Sequence, residues 1–316
     1  MALLSLGALL ADGYDPNQHI WVREVPMLRA AIQANEYDAQ GWAAEYHRIF
    51  IREVHPFASV FLSSDAGMGG LRTSWVTEDL QKMGLSIETK NSEPDHLGHL
   101  IITLGHLVGA EQDAVEDQVV HAVPGLRALQ ANWIDNHITP WLWIVTSATK
   151  QQDPALYGEV LELTTELVCA LRCRLPNPYT PTRQFVLPPT IADLDHPQTG
   201  IRQIATQLTT PGLSGWYLSR GTLSLMGAQL DLPCGFGSRR LMMTNLIHTA
   251  IDHKEIPKLC THLLAVAAQW RRALETKARN PCPGWDSVAS VWTQRLRCTE
   301  DILNRLDAAA PEHSDC

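Results

Sequence analysis

The chain has 316 residues, of which 45% are apolar and 19% are charged, the composition of a globular protein that can bury a core. Its length exceeds one typical domain and predicts two. No run of about 20 uncharged apolar residues occurs, so a membrane-spanning helix is not expected.

The formal net charge of −9 is unevenly divided along the chain. Residues 1–198 hold 12 Lys and Arg against 24 Asp and Glu, whereas residues 199–316 hold 13 against 10. Because an acidic surface repels phosphates, nucleic acid is not an expected partner, and a basic partner suits the first part better. The simpler alternative is that the acidic residues only keep the protein soluble.

Helical patterns begin at the N-terminus. Residues 1–13 are apolar but lack a basic region and a clear cleavage site, so they are interpreted as a first helix rather than a signal peptide. A second pattern places Val76, Leu80 and Met83 on one side of a helix. That helix is expected to end at Gly84, since glycine favours the helix C-cap.

The next helix carries three histidines and is predicted over Ser92–Val108, where apolar residues recur at helical spacing. Ser92 and Asp95 are expected to form its capping box, with the proline between them in the first turn. At 100° per residue, Asp95, His99 and His106 fall within about 40° of one another. His99 and His106 are nevertheless roughly 10 Å apart along the axis, which is too far for both to bind one metal ion.

A helix that opens on Asp153 as N-cap, with Pro154 at its first position, is predicted to follow. Its buried stripe is expected to comprise Leu156, Val160, Leu163, Leu167 and Leu171. Beyond it, prolines crowd the tract 176–198 and exclude a continuous helix there, so this tract is interpreted as an exposed linker.

After the linker, Ser238 and Asp286 mark the starts of two more helices. The buried stripe of the last helix is expected to comprise Val288, Val291, Trp292, Ile302, Leu303 and Leu306. The final residues, 308–316, are expected to be a frayed tail. Because alternating patterns are short and rare, the predicted fold class is all-α, with a helical domain at 1–175, a linker at 176–198 and a helical extension at 199–316.

The seven cysteines include no CxxC pair. Cys169 and Cys173 are four residues apart and are predicted to share one side of a helix. Reduced thiols in the cytoplasm explain this usage better than a disulfide framework does.

The residue types around the histidine-rich helix leave three interpretations open. A metal site would use His96, His99, His106 and His137, in a helical metal- or small-molecule-binding enzyme. An acid–base pair would join Asp95 to His96 or His137, but no nucleophile, P-loop or dinucleotide-binding motif accompanies it. In the purely structural interpretation, the polar residues cap the helix and the histidines are solvated or hydrogen-bonded.

Three short segments resemble the TorD/DmsD family of maturation chaperones. They are HPFASVFLS, with Pro56, Ser59, Val60 and Phe61; EPDHLGHL, with Glu93, Pro94, Asp95 and His96; and WIDNHITPWLWIV, with His137, Pro140 and Trp141. Their order and spacing match across roughly residues 30–175. The tract after Leu62 departs from the pattern, since relatives tend to carry an acidic residue directly after the serine. Residues 199–316 have no counterpart in short family members.

The resemblance implies an all-helical cytoplasmic chaperone, monomeric or homodimeric, without catalytic activity or a cofactor of its own. Members bind the precursor of a molybdenum-containing oxidoreductase, through its twin-arginine signal peptide or the enzyme itself, until the cofactor is inserted. The expected client-binding residues are Phe57, Ser59, Phe61, Glu93, Pro94, Asp95, His96, His99, His137, Pro140 and Trp141. An acidic rim that would steer a basic peptide is expected at Glu111, Asp113, Glu116 and Asp117. Phe57, Phe61 and Leu62 fit the core better than a groove, and Trp141 could equally be a packing residue.

Overall fold

The computed structural model describes residues 1–35, 37–86, 93–153, 155–175, 185–189, 193–279 and 282–309, and the fold over these residues is all-α, as predicted. The α-helices are α1 (Ala2–Asp12), α2 (Pro26–Gln33), α3 (Ala39–Tyr46), α4 (Ala58–Leu62), α5 (Leu71–Lys82), α6 (Leu97–Glu116), α7 (Val123–Trp133), α8 (Leu142–Gln152), α9 (Leu156–Arg174), α10 (Ile201–Thr209), α11 (Pro211–Ser214), α12 (Arg220–Leu230), α13 (Arg239–Asp252), α14 (Ile256–Ala278) and α15 (Trp285–Ala309). Short 3-10 segments lie at Ile20–Glu24 and Val120–Ala122, and π-helical segments lie at His47–Glu53 and Ile134–Ile138. None of the described helices combines the length and the apolarity that crossing a bilayer requires.

Internal contacts divide the chain into two compact units. The first comprises Met1–Phe61, Gly67–Val186 and Asn280–Val288. The second comprises Leu62–Ala66, Leu187–Arg279 and Ala289–Cys316. Much of the predicted linker, 176–184 and 190–192, lies outside the described residues, so the predicted division into domains stays a prediction.

Helices α1 and α6 pack closely in the first unit because glycines line their interface. A Cβ atom on Gly7 would lie 2.7 Å from the Ile102 side chain, and one on Gly98 would lie 2.7 Å from the backbone of α1. A Cβ atom on Gly105, two turns after Gly98, would lie 2.7 Å from Leu4. Only glycine permits this approach of the two backbones. The predicted first helix is therefore confirmed, and its inner side is buried against α6.

The buried pair Arg172–Asp135 joins α9 to the π-helical segment Ile134–Ile138. Arg172 donates from Nε to Asp135 Oδ1 at 2.7 Å and from Nη2 to Asp135 Oδ2 at 2.9 Å. The two side chains are almost completely removed from solvent. Such a bidentate pair is strong, but each charge depends on its partner, because an unpaired buried charge is very unfavourable.

Helix α9 buries a different stripe from the predicted one. Of the predicted residues, Leu156 and Val160 are buried, whereas Leu163, Leu167 and Leu171 are half-buried. Polar residues on the neighbouring side are buried instead. Thr164 donates its hydroxyl to the carbonyl of Val160 at 2.7 Å, and Arg172 is neutralised by Asp135. Because these polar groups are satisfied, they can occupy the core, which a purely apolar pattern does not reveal.

Two predicted helix ends are confirmed in detail. Helix α5 stops before Gly84, whose φ of 71° lets Leu85 N donate to Leu80 O at 2.9 Å. Helix α13 starts after Ser238, whose Oγ accepts from Leu241 N at 3.2 Å.

The starts of α9 and α15 differ slightly from the prediction. Asp153 does supply a cap, since its carboxylate accepts from Ala155 N at 2.8 Å and from Tyr157 N at 2.9 Å, but Pro154 lies outside the described residues. Helix α15 begins at Trp285, one residue before the predicted Asp286. Of its predicted stripe, Val288, Trp292, Ile302 and Leu303 are buried, and Val291 and Leu306 are half-buried. Most of the predicted tail, 310–316, is outside the described residues.

Replacing Arg172 with Met should lower the free energy of unfolding by about 3–5 kcal/mol, because Asp135 would be left charged and buried. The double variant Arg172→Met/Asp135→Leu should regain most of this loss, since no unpaired charge remains. Urea unfolding followed by circular dichroism measures both variants. A double variant as unstable as R172M alone would contradict this account of the pair.

Candidate functional site

The first two segments of the resemblance lie side by side at the start of α6. Ala58 N donates to Asp95 O at 3.1 Å, and Leu97 N donates to Pro56 O at 2.8 Å. These bonds form a short antiparallel bridge that places Phe57 opposite His96. Two motifs that are far apart in the sequence are thereby joined through their backbones.

The buried carboxylate of Asp95 ties three helices together. Its side chain is 0% exposed, and it accepts from Ser59 N in α4 at 2.8 Å and from Thr73 Oγ1 in α5 at 3.0 Å. Ser59 acts through its amide, because its buried Oγ has no hydrogen-bond partner among the described residues. We call Asp95, Ser59 and Thr73 the Asp95 hub. The sequence alone does not indicate that Thr73 binds Asp95, because Thr73 lies on a separate predicted helix.

The predicted capping box is wrong. Helix α6 begins at Leu97, and its N-cap is His96, whose Nδ1 accepts from Gly98 N at 3.2 Å. Asp95 precedes this cap and is directed toward α4 and α5, so it does not share a helix face with the later histidines. Ser92 lies outside the described residues.

His96 and His99 are neutral imidazoles at pH 7. Burial, with a smaller contribution from His99, lowers the pKa of His96 to about 3. The ring of His96 lies 4.9 Å from that of Phe57 and 5.3 Å from that of His99. Burial also lowers the pKa of His99, whose Nδ1 lies 3.3 Å from the carbonyl oxygen of Glu93, to which it can donate.

The third segment of the resemblance packs around His137. His137 Nε2 lies 2.9 Å from Asp79 Oδ2 in α5, and its ring centroid lies 4.6 Å from that of Trp133. Trp141 donates from Nε1 to His137 O at 2.8 Å and packs on Phe61 with ring centroids 5.3 Å apart. The third segment is thus connected to the first through Phe61.

A cleft of about 350 Å³ opens beside this pair, and we call it the His137 cleft. It is lined by Asp79, Lys82, Met83, Leu129, Asn132, Trp133, Asn136 and His137. His137 was expected from the resemblance, but Asp79 was not, since its pairing with His137 depends on how α5 packs.

Only part of the predicted client-binding set reaches the surface. Ser59, Phe61, Asp95, His96, His137, Pro140 and Trp141 are buried, Phe57, Pro94 and His99 are half-buried, and Glu93 is exposed. The structural alternative for the aromatic residues is therefore correct for Phe61 and Trp141, which belong to the core.

The four histidines of the metal alternative are not gathered into one site. Only His96 and His99 have rings in contact, His137 pairs with Asp79, and His106 is exposed on α6. Over the residues that the structure describes, no group of three or more His, Cys, Asp or Glu could hold a metal ion.

Two residues of the predicted acidic rim, Glu111 and Glu116, line a second cleft, of about 460 Å³, at the C-terminal end of α6. We call it the α6 cleft, and it is lined by Val108, Glu111, Gln112, Val115, Glu116, Arg127, Leu171, Arg174 and Leu175. Glu111 accepts from Arg127 Nε at 2.6 Å and from Gln130 Nε2 at 2.8 Å, so it is partly neutralised. The other three rim residues, Asp113, Glu116 and Asp117, are exposed.

Comparison with known proteins agrees with this arrangement of segments. Residues 21–146, less than half of the chain, match the family described as nitrate reductase delta subunit. The matched range contains all three segments that carry the resemblance, and it confirms the predicted relationship to maturation chaperones of molybdenum-containing oxidoreductases. No curated protein matches the chain.

Replacing Asp95 with Ala should lower the free energy of unfolding by about 2–4 kcal/mol, because two buried donors lose their acceptor. Thr73→Val should cost about 1 kcal/mol, since it removes one hydrogen bond. Ser59→Ala should be nearly neutral, because the Ser59 hydroxyl makes no hydrogen bond among the described residues. Urea unfolding distinguishes these variants, and a Ser59→Ala loss equal to that of Thr73→Val would contradict the assigned contacts.

The low pKa of His96 should make stability depend on pH. Between about pH 6.5 and pH 3 the unfolded histidine takes up a proton that the folded one does not, so stability falls as the pH is lowered. His96→Asn keeps a capping side chain but does not titrate. From pH 6.5 to pH 4.5, wild type should lose about 2–3 kcal/mol relative to this variant, with no divergence above pH 7.5. Parallel pH profiles of the two proteins in urea unfolding would contradict the buried neutral state.

Proposed function

We propose, from the match of residues 21–146 to the family described as nitrate reductase delta subunit, a family of redox-enzyme maturation chaperones, that the protein binds the precursor of a molybdenum-containing oxidoreductase. The contact is made with the twin-arginine signal peptide of that precursor, before cofactor insertion and export or assembly. The chaperone acts in the cytoplasm, as a monomer or homodimer, and supplies no cofactor of its own.

The observation that carries the proposal is the combination of an apolar floor and exposed acids at the α6 cleft. Val115 lines the cleft and is 55% exposed, and Val119 and Val120 follow it as further exposed apolar residues. Asp113 and Glu116 are exposed on the same helix. A peptide with two arginines followed by apolar residues needs both features, because each binds a different part of it.

Long-range attraction comes from the whole acidic part of the chain. The excess of acidic over basic residues in 1–198 raises the local concentration of a basic peptide before contact is made. The exposed acidic residues of the rim then determine where the arginines of the peptide bind. Since Glu111 already pairs with Arg127, the rim contribution comes mainly from Asp113, Glu116 and Asp117.

The motif residues divide into a supporting set and a contacting set. The Asp95 hub and the Phe61–Trp141 contact fix the helices, because their side chains are buried. Glu93 and the half-buried Phe57 and His99 reach the surface and extend the client contact at the start of α6.

The proposal predicts that binding of a twin-arginine peptide weakens as salt rises. The screening length falls from about 10 Å at 0.1 M to about 3 Å at 1 M salt, so long-range attraction is largely lost. The apolar contact remains, which leaves residual affinity. Calorimetry should show that exchanging both peptide arginines for glutamine weakens binding at low salt and matters much less at high salt. Equal affinity of the two peptides at low salt would contradict the electrostatic part of the proposal.

A matched pair of variants locates the contact. Asp113→Asn/Glu116→Gln should lower low-salt affinity about three- to tenfold, since exposed ion pairs contribute about 0.2–1 kcal/mol each. Glu24→Gln/Glu166→Gln removes the same charge from exposed positions elsewhere in the first unit and should have a much smaller effect. Val115→Ser should weaken binding at both salt concentrations. Equal effects of the two double variants would show that only the general field acts and would exclude the α6 cleft.

A further inference from the structure

The second unit presents one phenylalanine entirely to solvent. Phe236 is 95% exposed, the largest exposed fraction of any large apolar residue that the structure describes. It stands at the tip of the connection between α12 and α13, residues 231–238. Exposed Leu241 lies five residues further on, at the start of α13. A side chain this exposed contributes almost no buried apolar area to the fold.

The backbone on both sides of the tip is held in place. Asn245 Nδ2 donates to Cys234 O at 3.0 Å, and Thr249 Oγ1 donates to Pro233 O at 3.0 Å. On the other side, Ser238 caps α13. The exposure of the phenylalanine therefore results from a fixed backbone.

Two glycines produce this exposure. Gly235 has φ of 67° and Gly237 has φ of 144°, conformations that residues with side chains rarely adopt. A Cβ atom on Gly237 would also lie 2.8 Å from Leu241 Cδ2. The sequence Gly-Phe-Gly thus turns the chain tightly and leaves Phe236 without large neighbours at the tip.

Two arginines, Arg239 and Arg240, follow this tip in the chain. The guanidinium of Arg239 lies 4.4 Å from the ring centroid of Tyr217 and donates to Leu218 O at 3.4 Å, so it is fixed, whereas Arg240 is exposed. On a larger scale, the second unit as defined above holds 13 Lys and Arg against 12 Asp and Glu, so it does not share the acidic excess of residues 1–198.

We propose that this loop docks the second unit on an anionic membrane surface. Phe236 enters the boundary between lipid headgroups and acyl chains, and Arg240 contacts lipid phosphates, the division of roles found at interfacial membrane contacts. A protein hot spot is normally ringed by neighbouring contacts that exclude water, whereas glycines flank Phe236 on both sides. One aromatic residue and one charge give weak, reversible binding at the interface, without a membrane-spanning segment. This inference does not depend on the proposed client.

Flotation of the full chain with vesicles tests the proposal. Wild type should float with vesicles of phosphatidylcholine and phosphatidylglycerol but not with phosphatidylcholine alone, and high salt should release it. Phe236→Ser should weaken binding about tenfold or more, and Arg240→Gln about fivefold. Circular dichroism should show both variants folded, since both positions are exposed.

Matched controls use exposed residues elsewhere. Met68→Ser removes a 63%-exposed apolar side chain from the first unit, and Arg297→Gln removes an exposed charge from the second, and neither should change flotation. Wild type that does not float with anionic vesicles, or a Phe236→Ser variant that floats equally well, would overturn the proposal. If Phe236→Ser instead weakened only the capture of an acidic protein, the loop would be a protein-docking site and the membrane proposal would also be overturned.

Discussion

A carboxylate can stay fully buried only when hydrogen bonds replace its hydration, and Asp95 meets this requirement with the amide of Ser59 and the hydroxyl of Thr73. These partners belong to α4 and α5, while Asp95 itself leads directly into α6. The three helices therefore cannot shift independently without leaving polar groups unpaired. Because α6 has 20 residues and rises about 1.5 Å per residue, its fixed start also sets the position of its far end, roughly 30 Å away. The glycine-lined contact with α1 holds the helix between these two ends.

The π-helical segment Ile134–Ile138 depends on a similar pairing of charge. Asp135 is bound by Arg172 of α9, and His137, two residues later, is bound by Asp79 of α5. A π-helical turn is intrinsically unfavourable and is often found at functional sites. Here the two polar contacts, together with Trp141 on Phe61, hold the segment between two helices. His137 is thus presented at the wall of its cleft by buried residues, which explains why much of the motif is enclosed.

The sequence predicts local features well and tertiary pairings poorly. Helical periodicity and the signals at Gly84 and Ser238 are local, and the structure agrees with them. The capping error at α6 has a clear cause, since Asp is a preferred cap and His is not, while the true partners of Asp95 lie 22 and 36 residues away. The α9 stripe was misplaced for a related reason, because Arg172 enters the core only with Asp135. The acidic residues of the rim could be identified from the sequence. The pairing of Glu111 with Arg127 could not, because it depends on how α7 packs.

The location of the acidic rim is unfavourable for the stability of α6, which supports the proposed role in recognition. A helix carries partial negative charge at its C-terminal end, so Lys or Arg is favoured there and acids are unfavourable by about 0.3–1 kcal/mol each. The last turn of α6 contains no basic residue, yet Asp113 and Glu116 lie in its last four residues and Asp117 is its C-cap. Arg127 from α7 offsets only Glu111. The helix therefore keeps acids where they are unfavourable for its own dipole, and one of them, Glu116, lines the α6 cleft. Proteins lose some stability in this way at functional sites, and the unfavourable placement is consistent with the proposed attraction of a basic peptide to the α6 cleft.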